Sequence, residues 1–192
     1  MEVHDIAELI NAVRQICSGF GHTQYRFRGH ASAGWKLVPS VHRNYDAQGE
    51  HNLMARFRLA APTRYEQCPE LHDWASWISL MQHYGLPTRL LDWSGSLLAA
   101  VYFAVAHDPQ PGPGAVWTLL PSGLNQASCH AQECTFTLAG PEAKPLLQAA
   151  FADGAVIDEA LAVYGQDTGL RMALQMGAFT IHGTEKPLEE RK

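Results

Sequence analysis

Several things are scarce in these 192 residues, and each scarcity excludes something. No apolar run approaches the roughly 20 residues that a membrane-spanning helix needs; the longest, residues 97–106, has the length of a core helix. Cysteine occurs four times, at 17, 68, 129 and 134, with no framework spacing, so a disulfide scaffold is not expected in a chain long enough to bury a real core. Lys and Arg are absent between Arg89 and Lys144. A net charge of −5 does not supply the broad electrostatic footprint that duplex nucleic acid demands. The first residues are acidic and lack a basic-then-apolar pattern, so no signal peptide is expected and the protein is read as reduced and cytoplasmic. The ten histidines include no H-x-x-x-H pair. Cys129, His130 and Cys134 make at most half a tetrahedral site, so no metal is expected. Nucleophile elbows and glycine-rich phosphate loops are missing as well.

What is present is an ordinary globular composition, 46% hydrophobic and 17% charged, with an uneven distribution of charge. Residues 1–89 hold nine of the 14 Lys and Arg against eight of the 19 acids, and the remainder holds five against eleven. Ten of the 14 are Arg, whose planar fork suits phosphate and carboxylate. A local anion site built from first-half arginines fits this pattern.

Periodicity and punctuation predict the elements. Asp5 caps a helix over 6–17 with one apolar stripe. Residues 24–29 alternate as a strand, Tyr25 and Phe27 inward, Arg26 and Arg28 on the opposite face. Gly29, lacking a side chain, would let a ligand approach the backbone closely. Helices follow over 47–60, stopped by Pro62, and over 71–84, capped by Asp73 with Trp74, Trp77, Ile78 and Met81 inward. Residues 97–106 read as a buried helix, 109–114 as a surface turn, 115–120 and 133–138 as strands, 141–153 as a short helix, 169–176 as a last helix and 178–182 as a strand. Residues 185–192 read as a frayed tail.

Between two of these helices lies a polar, turn-rich segment with Gln82, His83, Tyr84, Thr88, Arg89 and Asp92. Loops clamped by rigid elements are where binding groups collect. The structural alternative is an Arg89–Asp92 ion pair that satisfies the segment's own charges.

Residues 25–29 (YRFRG), 35–39 (WKLVP) and 80–93 (LMQHYGLPTRLLDW), with a closing QMGAF at 175–179, resemble the FRG-domain family over roughly residues 20–182. The expected organisation is an N-terminal helix at 1–19, the FRG domain at 20–184 and a flexible tail at 185–192. The aromatic-Arg-Gly strand end also resembles the first motif of mono-ADP-ribosyltransferases. That second resemblance implies an α+β fold with a split sheet: a helical N-terminal half packed on a small mixed or antiparallel sheet. It implies NAD as co-substrate, a nucleic-acid or protein acceptor, and the role of a bacterial toxin or phage-defence effector with an antitoxin or other partner protein.

Carried over by position, Arg28 grips NAD and Gln175 occupies the place of the late acidic or amide residue. Gly29, Gln82, His83, Tyr84, Thr88 and Arg89 supply cleft contacts. The pattern departs from that family at Gln175, where neither E-x-E nor Q-x-E is present, and in the lack of a Ser-Thr-Ser strand. Gln carries no charge to stabilise a ribosyl cation, so Asp92 or Glu185 has to contribute. Two alternatives stand beside the transferase: a non-catalytic nucleotide- or RNA-binding module in which Arg26, Arg28 and Arg89 hold phosphates, and a hydrolase using His83 and Asp92.

Overall fold

The computed structural model describes residues 1–18, 25–106, 112–129, 136–153, 156–165 and 178–191. The expected helix 169–176, Gln175, His130 and Cys134 lie outside them. The architecture is α+β, with helices dominating the first hundred residues and two small sheets behind them.

Helix α1 (Ile6–Cys17) is capped by Asp5, which accepts from Glu8 N–H. Strand β1 (Arg26–His30) follows, then the short α2 (Ser40–Asn44) and α3 (Ala47–Ala60). Asp46 caps α3, and Pro62 sits in the 3-10 turn that ends it. Helix α4 (Trp74–His83) is capped by Asp73 as expected. It ends in a Schellman motif: Leu86 N–H bonds Met81 C=O, Gly85 N–H bonds Gln82 C=O, and Gly85 takes φ +74°. That left-handed position is nearly free of cost only for glycine.

Within the polar segment the chain forms a strand, β2 (Leu90–Trp93), that periodicity did not reveal. Helix α5 (Leu97–Val105), β3 (Ala115–Leu119), α6 (Pro121–Cys129), β4 (Phe136–Thr137), α7 (Lys144–Gln148), β5 (Ala160–Tyr164) and β6 (Ala178–His182) complete the order. A π-helical turn, Ala149–Asp153, extends α7.

β1 and β3 pair as an antiparallel ribbon. The second sheet has the order β2-β6-β5-β4, antiparallel except for the parallel β4–β5 edge. Among the described residues the two sheets join at one isolated bridge, Phe27 with Ser94. One face of the larger sheet packs through Leu90, Leu161, Val163, Phe179 and Ile181 onto α4, α7 and the inner side of α3. The other face carries Leu91, Trp93, Ala160 and Ala178, covered by Leu37, Trp117, Leu119 and Leu188.

Three expectations change. Helix α5 is not buried: Ala100 is inside, but Leu98, Tyr102, Phe103 and Val105 are exposed, because one side of the helix lies on β1 and nothing among the described residues covers the other. Arg26, expected on the face opposite the inward one, is buried, with its guanidinium bonded to the Tyr164 hydroxyl and stacked on that ring. The tail is docked, since Leu188 is buried, its N–H bonds Leu37 C=O, and Arg191 bonds Asp158 and Thr184. No helix among the described residues is long and apolar enough to cross a membrane.

Candidate functional site

Pairing in β1 puts Arg26, Arg28 and His30 on the face that looks toward the larger sheet, and Phe27 and Gly29 on the face toward α5. Arg28 reaches across the junction of the two sheets. Its Nη1 donates to the Asp92 carbonyl at 2.7 Å and its Nε donates to His30 Nε2 at 3.0 Å. Because His30 Nε2 accepts, its proton sits on Nδ1, facing the Trp35 carbonyl at 3.2 Å. Burial, and then the positive charge of Arg28, push the His30 pKa down to about 4, so this imidazole is neutral and serves as an acceptor. Burial also lowers the Arg28 pKa, opposed by the Asp92 carboxylate and reinforced by Arg43. Arg28 is half-buried, and its Nη2 makes no hydrogen bond among the described residues.

Asp92 projects from β2 on the same face as Leu90, toward the last turn of α4. Its carboxylate is exposed and both its oxygens accept from Gln82 Nε2, at 3.1 and 2.9 Å. Gln82 Oε1 in turn accepts from the hydroxyl of Thr88, which is fully buried. The site is therefore a cation and a carboxylate on neighbouring strands, each anchored from behind by neutral polar groups.

Other candidates are placed elsewhere. Arg89 does not pair with Asp92. Its Nε and Nη2 grip the two oxygens of Glu50 at 2.9 and 2.6 Å, and Nη1 donates to Leu146 C=O at 2.8 Å. With both side chains buried, Arg89 is a brace between β2, α3 and α7. Gly29 admits a close approach, but of α5: a Cβ there would lie 1.8 Å from the Ala100 carbonyl oxygen. His83 and Tyr84 are exposed and stack edge-to-face on each other, and no hydrogen bond joins His83 to Asp92 among the described residues. Glu185 is exposed, beyond β6. Among the described residues no cluster of three potential metal ligands occurs.

Among the polar residues of the interior, Glu50, His30 and His182 carry no motif that marks them in the sequence. Glu50 lies three, four and seven positions before the apolar Leu53, Met54 and Phe57, so an acid in the inward stripe of α3 was the available signal of a buried partner. His30 continues the alternation of Arg26 and Arg28. His182 alternates with Thr180 on β6 and is fully buried; its Nε2 lies 2.8 Å from Thr180 Oγ1, which also accepts from Trp93 Nε1 at 3.1 Å. Burial, with Arg191 the foremost of the nearby cations, takes its pKa down to about 3.

This geometry is built almost wholly from one stretch of chain. Residues 23–112 match the family model described as the FRG domain. The matched stretch holds β1, the Gln82–Asp92 segment and α5, and stops short of β5, β6 and Gln175. No curated protein and no solved structure matches the chain.

Proposed function

We propose that this protein is an NAD-dependent ADP-ribosyltransferase whose dinucleotide lies across the junction between the β1–β3 ribbon and the larger sheet. The observation that carries the reading is the juxtaposition of Arg28 and Asp92: a half-buried guanidinium with an uncommitted Nη2 edge, bonded to the backbone of a residue whose exposed carboxylate is itself held in place. Transfer of ADP-ribose breaks the bond from ribose C1′ to the nicotinamide nitrogen. Nicotinamide leaves with the electron pair, and positive charge develops on the sugar. The acceptor nucleophile then bonds C1′ and gives up its proton. Such a reaction needs a cation to pin the diphosphate and a preorganised negative group near the sugar. In this reading Arg28 is the first and Asp92 the second, and the acceptor is a nucleic acid or a protein. Arg89 and Thr88 are not substrate contacts, since both are buried and committed to other groups.

The test is calorimetric titration of NAD to about 1 mM, where such substrates bind, together with an assay of released nicotinamide. Wild type is expected to give saturable heat. Arg28→Ala loses it, and Asp92→Asn keeps it while nicotinamide release falls about 100-fold or more, the scale of losing one transition-state electrostatic partner. Absence of heat in the wild type overturns the reading. Saturable heat without any nicotinamide release replaces it with a passive nucleotide-binding module.

A further inference from the structure

Between the end of α4 and β2 the hydrogen bonds run in one direction. Leu90 N–H donates to Thr88 Oγ1 at 3.2 Å, which leaves the Thr88 hydroxyl proton to be given to Gln82 Oε1. That acceptance fixes the amide: the oxygen of Gln82 faces Thr88, so its NH2 faces Asp92 and bonds both carboxylate oxygens. Turned the other way, the amide would set Oε1 against a carboxylate and NH2 against a hydroxyl already holding a donated proton. The chain climbs from a fully buried group, Thr88, through half-buried Gln82, to the exposed Asp92. The Schellman turn at Gly85 makes it possible, because it returns the chain so that residues 82, 88 and 92 meet.

We propose that Thr88 and Gln82 are positioning residues that hold the Asp92 carboxylate in one orientation beside Arg28. This rests on the role given to Asp92 above. Bonding through a single NH2 group spends the inner lone pairs of both carboxylate oxygens and leaves the outer ones turned to solvent, where the ligand of Arg28 would lie. Neither Gln82 nor Thr88 touches substrate. Both act through Asp92.

The first readout does not depend on activity. In 15N NMR spectra the Gln82 side-chain amide is identified by its absence in Gln82→Leu, and its exchange with solvent is measured. Thr88→Val should speed that exchange about tenfold or more, the scale of one buried hydrogen bond, and Thr88→Ser should restore it. Asp92→Ala changes an exposed residue, so the fold survives, and it should speed the exchange equally. Unchanged exchange in Asp92→Ala or in folded Thr88→Val overturns the relay.

The second readout is nicotinamide release. Thr88→Val should lower kcat about tenfold with KM within about twofold, the signature of an interaction felt only in the transition state. A raised KM at unchanged kcat would make Thr88 a substrate contact and overturn the positioning role. If the wild type releases no nicotinamide, the NAD reading falls alone, and amide exchange still decides the relay.

Discussion

Arg89 shows how much a single buried side chain can organise. Three of its donors go to the Glu50 carboxylate and the Leu146 carbonyl, and both partner residues are buried. Removing one member leaves the other charge buried and alone, which costs about 3–5 kcal/mol. Glu50→Ala is therefore expected to lower unfolding stability by that amount in urea, whereas Glu50→Leu combined with Arg89→Met should recover most of the loss. The buried histidines give a second prediction at this scale. His30 and His182 have folded-state pKa values of about 4 and about 3, below the ordinary value of 6.5. Between these limits the unfolded chain binds more protons than the folded one, so stability rises with pH through the window and is lost as pH falls from about 6.5 toward 4. Urea midpoints at pH 7.5, 6 and 5 should fall in that order, and less steeply in His30→Gln. Equal midpoints would contradict the burial of these imidazoles as neutral groups.

At the scale of elements, the pairing of β1 with α5 explains a glycine that the sequence suggests for a different reason. Gly29 looks like a place for a ligand to approach, and it is a place for Ala100 and Ala104 to approach. Gly29→Ala has to push α5 away from the ribbon, and such overpacking costs about 1–3 kcal/mol; a lowered thermal midpoint is the expected result. Much of the element list was legible. Asp5 and Asp73 each sit where a side-chain acceptor caps the following helix, and the turn chemistry at Gly85 and Pro87 gives the end of α4. What was not legible depended on partners far along the chain. β2 is four residues of a polar-looking stretch, made a strand by its pairing with β6. The inertness of Arg89 depends on Glu50, 39 positions away. The exposure of α5 is invisible to composition, because an uncharged helix reads the same whether one or both of its sides are covered.

At the scale of the molecule, several arginines of the first half bond to groups of the protein itself. Arg26 serves Tyr164, Arg43 serves the Val38 carbonyl, Arg58 serves the Leu71 carbonyl and lies over Trp77, and Arg89 serves Glu50. That use, in a chain of net charge −5, does not favour a broad nucleic-acid surface. The split sheet was legible only as what the resemblance to mono-ADP-ribosyltransferases implies, and the structure holds two small sheets. The site was legible as a neighbourhood, because Arg28 and the 82–92 segment do come together. The division of labour within it was not, since which polar groups face outward is decided by packing.

Among the described residues the two sheets share one reciprocal pair of backbone bonds, Phe27 N–H to Ser94 C=O at 2.7 Å and Ser94 N–H to Phe27 C=O at 2.8 Å. In mechanical terms this is a seam with one stitch, and the Arg28–Asp92 contact lies immediately beside it. The Arg26–Tyr164 bond, the Arg28 bond to the Asp92 carbonyl and the packing of Trp117 and Leu119 on the larger sheet brace the same seam through side chains, so the spacing of the Arg28 and Asp92 charges is set by the whole ribbon.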